Sequence, residues 1–299
     1  FYNPSALYNE GINASKEIKE KAEALLDSKI RLTYNEDGSF KVLILADLHV
    51  DVAADPVKAQ RVSDRVKEIV DRVDPDLCIM TGDNTINSST TDKLKANLEM
   101  CIGYLEEKGI PWCHVYGNHD HENAMMNSIQ QGVHEQYEYC VSKAGTIASR
   151  PGTYVLGVYN ADGSLGSLIW CLNSGAYDSV KGGYAYITQK QIDWYKESSE
   201  ILEEYNNGEK VKGMMAFHIP LQETYTAKVV INVKASDQVN FMPYTIAEGS
   251  EGGLYYLRNL PYQTYLLAEA KALAKASRKV ALELLLSDHT GDCVAPCSK

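Results

Sequence analysis

Five times in this chain a short apolar run stops on residues that carry metal-binding atoms, and this construction limits the fold more than any other feature. Val42-Leu43-Ile44-Leu45-Ala46 runs into Asp47-Leu48-His49, and Leu77-Cys78-Ile79-Met80 runs into Gly82-Asp83-Asn84. Trp112-Cys113-His114-Val115-Tyr116 leads to Gly117-Asn118-His119-Asp120, residues 211–217 lead to His218, and residues 280–286 lead to Ser287-Asp288-His289. Runs this short and this rich in β-favouring residues read as buried strands. Between the first three lie two helical patterns. Residues 56–73 open on Asp55-Pro56, and residues 91–108 close on Gly109, a suitable C-cap. A β-α-β-α-β order implies parallel strands with helices packed over the sheet. Ligands sit at the C-terminal end of such strands. Three strand ends in register gather Asp47, His49, Asp83, Asn118 and His119 around one small volume. A lone Asp or Asn after a strand is ordinarily a helix cap or turn former, and Asn84 reads that way. Caps do not call for His, so the set as a whole reads as a metal site.

The remaining elements follow from the same patterns. Residues 1–30 read as a polar leader and an amphipathic helix with Ile18, Ala22, Leu25, Leu26 and Ile30 on one side. That divides the chain into a helical leader at 1–37 and a main domain at 38–299. Residues 127–144 are expected to be helical, 153–159 and 167–172 to be strands, 189–205 a helix and 211–217 a strand. Residues 220–260 read as a long loop region with one strand at 228–233. Residues 265–277 read as a helix, and 280–286 either extend it or form a last strand. His114, mid-strand, and His134, mid-helix, read as structural, and His121 as a solvated loop residue.

Composition sets outer limits. The 299 residues carry a formal charge of -11, which argues against electrostatically driven binding to nucleic acid or anionic lipid. It leaves room for a small phosphorylated substrate, because bound metal ions reverse the local sign. No apolar run reaches the roughly 18 residues of a membrane span. No signal peptide is visible from Phe1, so a cytoplasmic protein and a secreted one with its signal removed are both open. The seven Cys are scattered; Cys78, Cys113 and Cys171 fall in predicted strands as small buried thiols, and Cys293 and Cys297 could pair or stay free. Oligomeric state is not legible.

In type and order these blocks resemble the calcineurin-like metallophosphoesterases, whose pattern is Asp-x-His, Gly-Asp-x, Gly-Asn-His-[Asp/Glu], a lone His and Gly-His-x-His. Asp47-Leu48-His49, Gly82-Asp83-Asn84, Gly117-Asn118-His119-Asp120 and His218 match. The text around Phe217-His218-Ile219-Pro220 looks most like the branch related to purple acid phosphatase 29 and Dcr2-type phosphatases. Neither the Gly-Asp-x-x-Asp-Arg-Gly of the Ser/Thr protein phosphatases nor the Tyr of true purple enzymes is present, since Ile86 stands three residues after Asp83. Gly-His-x-His is absent as well. Ser287-Asp288-His289-Thr290-Gly291-Asp292 looks like that motif with its Gly-His pair missing, so that His289 matches the second His.

The resemblance implies a four-layer α/β/β/α sandwich with two facing mixed sheets. It implies two divalent or trivalent metal ions, Mn, Fe or Zn, sharing a bridging hydroxide that attacks a phosphate ester. Asp47, His49 and His289 would hold the first metal, Asn118 and His218 the second, and Asp83 both. His119 would protonate the leaving group, with Asp120 fixing its orientation. A phosphomonoesterase is the favoured reading. A phosphodiesterase or nucleotide hydrolase on the same site is the alternative, and the incomplete last motif keeps a catalytically impaired binding protein in view.

Overall fold

The structure is a computed structural model that describes residues 4–180 and 182–221, with the short strands 231–232, 247–248, 254–256 and 282–286. Three parallel strands carry the first ligand blocks: β2 (Val42–Ala46), β3 (Leu77–Met80) and β4 (Trp112–His114). β1 (Leu32–Thr33) precedes them and belongs to a second sheet, in the order β1-β5-β6-β7, with β5 (Tyr154–Tyr159), β6 (Leu165–Cys171) and β7 (Gly213–Ala216). β5 and β6 are antiparallel, whereas β6 and β7 run parallel, so the sheet is mixed.

Alternation along the strands sorts side chains into layers. Val42 and Ile44 of β2 and Ile79 of β3 share one core with Leu156 of β5, Ile169 of β6 and Ala216 of β7, so the two sheets face each other. Leu43, Leu45 and Met80 point the other way, onto helices α2 (Pro56–Val73) and α3 (Thr91–Lys108). Behind the second sheet, Val155 and Trp170 pack with Ala22 and Leu26 of helix α1 (Pro4–Leu26) and Leu202 of a helix at Gln189–Tyr205. The expected α/β/β/α order is therefore present. Each sheet is covered on both faces, which is why its strands read as continuous apolar runs rather than alternating ones.

The helix boundaries are written in local chemistry. Asp55 caps α2 by accepting from the Lys58 N–H at 2.8 Å, with Pro56 at the first helical position. Thr90 caps α3, which stops at Gly109. Two short helices, α4 (Asn118–Glu122) and α5 (Asn127–His134), follow β4, and the Gln189–Tyr205 helix is α6.

The expected helix at 127–144 ends at His134 instead. The chain peels away because the Trp112 N–H donates to the Tyr139 carbonyl and the Val141 N–H donates to the Trp112 carbonyl, so this stretch pairs along the edge of β4. Three short strands, β8 (Ile231–Asn232), β9 (Ala247–Glu248) and β10 (Leu254–Tyr256), form a small separate sheet. The last, β11 (Leu282–Leu286), settles the open choice in favour of a strand, paired parallel to β2 with Leu286 opposite Ala46. The helix expected at 265–277 and the residues His289, Cys293 and Cys297 lie outside the described residues.

Candidate metal centre

Every strand of the first sheet ends on the same side, and the turns that follow are bent into the left-handed region. Asp47 (φ 54°), His49 (φ 48°) and Asp83 (φ 53°) adopt a backbone that L-residues rarely hold. Hydrogen bonds between the two turns keep it: the Asp47 N–H donates to the Gly82 carbonyl at 3.1 Å and the His49 N–H to the Asp83 carbonyl at 3.0 Å. Such strain persists where the surroundings over-determine it, and here it falls on ligand-type residues. Gly82 and Gly117 allow the loops to close. A Cβ on Gly82 would stand 2.6 Å from the Gly117 nitrogen and 2.8 Å from His218 Nδ1, and a Cβ on Gly117 would overlap the Asp83 carboxylate.

Around Asp83 the side chains converge. Its Oδ2 lies 3.1 Å from His218 Nε2 and 4.0 Å from His49 Nε2. Ligand atoms of Asp47, Asp83 and His218 lie within 4.8 Å of one another, and so do those of His49, Asp83 and His119. Asp83 thus belongs to both groups. His218 Nδ1 is 2.9 Å from the Thr81 carbonyl, which can only accept, so Nδ1 carries the hydrogen. The neutral ring then presents a lone pair at Nε2, facing Asp83 Oδ2 and, at 3.2 Å, Asn118 Oδ1. Positive charge is called for among these three atoms, whether a proton on Nε2 or a metal ion in its place. A backbone carbonyl behind an imidazole is the arrangement that orients a metal-ligating His.

Electrostatics agree. Burial alone would push the His218 imidazole down, yet the adjoining Asp83 carboxylate overrides it and raises it to about 9. Burial works against the Asp83 anion too, but hydrogen bonding and charge from His218 hold its carboxyl below the usual range. The donor set of carboxylate, amide oxygen and imidazole, with no thiolate, suits hard or borderline metal ions rather than thiophilic ones. The residues present therefore fit the pair of ions the sequence leads one to expect.

Around His119 the structure departs from expectation. Asp120 does not touch it. The Asp120 carboxylate instead accepts from the Gly117 N–H at 2.8 Å and the Asp83 N–H at 2.9 Å, tying two ligand loops together. An acid at the third helical position turned back on the N-cap N–H explains why α4 starts where it does. Full burial, and then the Asp83 charge, raise Asp120 to about 7. The partner of His119 is Glu122, whose Oε2 lies 2.6 Å from Nδ1. Glu122 Oε1 accepts at 2.6 Å from the Tyr177 hydroxyl, which itself accepts from Asn118 Nδ2 at 3.1 Å. One chain of contacts thus joins Asn118, Tyr177, Glu122 and His119.

Glu122 sits three residues from His119 on α4, a spacing that brings side chains together and could have flagged it. Tyr177 lies 59 residues from Asn118, and no local signal points to it. His121 is not a solvated loop residue: its Nδ1 meets the Gly117 carbonyl at 2.9 Å and its Nε2 the Asn127 amide at 2.8 Å. Asn84 makes no capping bond. Both of its side-chain atoms are buried without a hydrogen-bond partner.

The calcineurin-like phosphoesterase family matches residues 40–242. Among curated proteins the chain is similar to probable inactive purple acid phosphatase 28 of Arabidopsis thaliana, 27% identical over 67% of this chain and 62% of that protein. It is 29% identical to probable inactive purple acid phosphatase 29 of the same plant, over 64% of this chain and 57% of that protein. With phosphatase DCR2 of Saccharomyces cerevisiae it shares 27% identity over 64% of this chain and 36% of that protein. The chain spans less than two thirds of the length of each of these relatives. A solved dimetal phosphatase from Danio rerio overlaps 60% of this chain and 70% of its own at 12% identity and a TM-score of 0.41. The matched span covers more than half of the 299 residues and holds Asp47, His49, Asp83, Asn118, His119 and His218, so the chain belongs to the calcineurin-like phosphoesterase family.

Proposed function

We propose that this chain hydrolyses phosphate esters, monoesters by preference, at a two-metal centre on the strand ends. The observation that carries this is the Asp83 carboxylate standing between His49 on one side, at 4.0 Å, and His218 on the other, at 3.1 Å, as a ligand shared by two ions would. Asp47, His49, Asp83 and His289 would hold one ion, Asp83, Asn118 and His218 the other, and together such ions neutralise phosphoryl charge and make water acidic enough to act as a nucleophile near neutral pH.

The chain's own side chains set up the rest. Thr81 keeps the Nε2 lone pair of His218 free, and Tyr177 takes the Asn118 amide hydrogen so that Oδ1 faces the site. His119 is the leaving-group acid. Glu122 holds the hydrogen at Nδ1 and fixes the ring, which leaves Nε2 as the atom that delivers a proton to the departing oxygen. Asp120 serves the scaffold rather than the proton, by fixing the Gly117 and Asp83 amides.

His119→Ala should lower turnover of p-nitrophenyl phosphate by about 10²–10⁴-fold while leaving manganese content near that of wild type. An unchanged rate would remove His119 from this role. A second reading, a metal-binding protein without turnover, is favoured by the names of two relatives, which call them probably inactive. It predicts manganese uptake with no nitrophenol released from either the mono- or the bis-(p-nitrophenyl) ester. Release from the bis ester alone would point to a diesterase.

A further inference from the structure

Arg150 is a cation in a chain of net charge -11, and among the described residues no acceptor is hydrogen-bonded to its guanidinium. Its Nε is buried without a partner. Leaving a buried donor unmatched is unfavourable, and most arginines avoid it by finding a carboxylate or carbonyl. Here the scaffold keeps the group where it is. The Arg150 N–H donates to the Ile147 carbonyl at 2.8 Å, and the next carbonyl, of Pro151, accepts from Asn173 Nδ2 at 2.8 Å. Gly175 makes room for the guanidinium: a Cβ there would lie 2.8 Å from Arg150 Cζ, and its φ of +80° suits glycine in any case.

Topology puts the segment that carries this group at the same end of the sheets as the candidate metal centre. β5 runs antiparallel to β6, with Tyr154 opposite Cys171, and Cys171 in turn lies opposite Ala216 of β7. The segment entering β5 therefore sits at the end of the sheet where β7 delivers His218. The segment around Gly175 leads to the site. Ser174 Oγ accepts from the Ile219 N–H at 2.9 Å, next to His218, and Tyr177 holds Asn118 and Glu122. The positive charge is also felt at His121, on the same short helix as His119.

We infer that Arg150 is a substrate-binding residue that takes an oxyanion of the phosphorylated substrate, with its fork of N–H groups pre-set over Gly175. This deepens the hydrolase reading and rests on it for the source of the anion. Two sources share the chemistry, the scissile phosphate itself and a second acidic group on the substrate.

The test uses the manganese-loaded protein, with inorganic phosphate binding measured by calorimetry and steady-state kinetics measured on two substrates. p-Nitrophenyl phosphate has only the scissile phosphate, and 2-phosphoglycolate adds a carboxylate. Arg150→Gln should raise KM about tenfold or more with kcat nearly held, and Arg150→Lys should fall in between, because a point charge replaces the fork. A rise for both substrates, with weaker phosphate binding, places the guanidinium on the scissile phosphate. A rise for 2-phosphoglycolate alone places it on the second acid. Unchanged KM on both substrates and unchanged phosphate binding, in a variant whose thermal unfolding matches wild type, would overturn the inference and leave hydrolysis standing. Phosphate binding that depends on Arg150 in a wild type that hydrolyses neither ester would keep the anion site and overturn the hydrolase.

Discussion

Two groups of histidines lie on either side of Asp120, and they behave in opposite ways. On one side His49, His119 and His218 surround Asp83, and the carboxylate raises His218 to about 9. On the other, His114 and His134 lie tilted with ring centroids 4.5 Å apart among Trp112 and Tyr116, and burial pushes His134 down to about 3 and His114 well below the usual imidazole range. The residue type is the same; the neighbours differ. His114 Nε2 approaches Asp120 Oδ2 at 3.7 Å, but that carboxylate is already committed to two backbone N–H groups. An imidazole beside a carboxylate oxygen that no backbone N–H claims becomes a candidate for chemistry, whereas one beside an oxygen already claimed becomes packing.

The most severe way to break this contrast is to remove the anion that makes the first group different. Asp83→Asn keeps the shape, the contact with the His119 N–H and most of the burial, but it deletes the charge both ligand groups share. Loss of a shared ligand forfeits several kcal/mol of charge stabilisation, so hydrolysis should fall by about a thousandfold or more. Elemental analysis should show the metal content of the purified protein falling with it. Full metal occupancy in this variant would deny Asp83 the bridging position.

The sealed pair makes the next prediction, on stability and not on rate. The folded state holds His134 with a pKa near 3, against about 6.5 in an unfolded chain. Below pH 6.5 the unfolded chain therefore binds a proton the folded one refuses. Stability is full above that point and drains as pH falls towards 3, at up to about 1.4 kcal/mol per pH unit for each such imidazole. Asp120, raised to about 7, titrates across the same window with the opposite sign. The informative quantity is consequently the difference between wild type and His134→Gln in denaturant unfolding at pH 7, 6 and 5. The variant should show a shallower acid decline, and parallel curves would mean that the folded protein protonates this ring freely.

How much of this could be read in the chain follows from how local each cause is. The convergence of Asp47, His49, Asp83 and Asn118 was legible because three parallel strands and the turns after them deliver these residues, and parallel pairing needs only the helix between strands. The layers were legible for the same reason, since buried strands and amphipathic helices each announce their faces. Glu122 was missed although its spacing from His119 is that of neighbours on a helix, because an acid stood closer in sequence at Asp120. That acid is drawn off by the tertiary approach of the Asp83 and Gly117 amides, which no spacing reveals. The overlong helix after residue 127 fails likewise: helical pattern is a local signal, whereas the pull of the β4 edge on residues 139–141 is not.

Tyr177 is the clearest case of a residue that only the folded chain identifies, and it yields the smallest and sharpest prediction. Its hydroxyl accepts from Asn118 Nδ2 and donates to Glu122, which raises the phenol to about 12. The amide of an asparagine can turn over, offering nitrogen where oxygen is needed, and its orientation is settled by its partners. Tyr177→Phe removes the acceptor while keeping the ring that stacks on Tyr184 at 5.7 Å. Manganese affinity measured by calorimetry should weaken about tenfold, the lower end for loss of an outer partner to a metal ligand. Asn118→Asp separates orientation from mere packing, because a carboxylate has oxygens on both arms and nothing to turn over. In that background Tyr177→Phe should cost little further affinity, so the two changes should fail to add. If the loss on removing the hydroxyl is the same whether residue 118 is Asn or Asp, Tyr177 acts on the site by some route other than holding the amide.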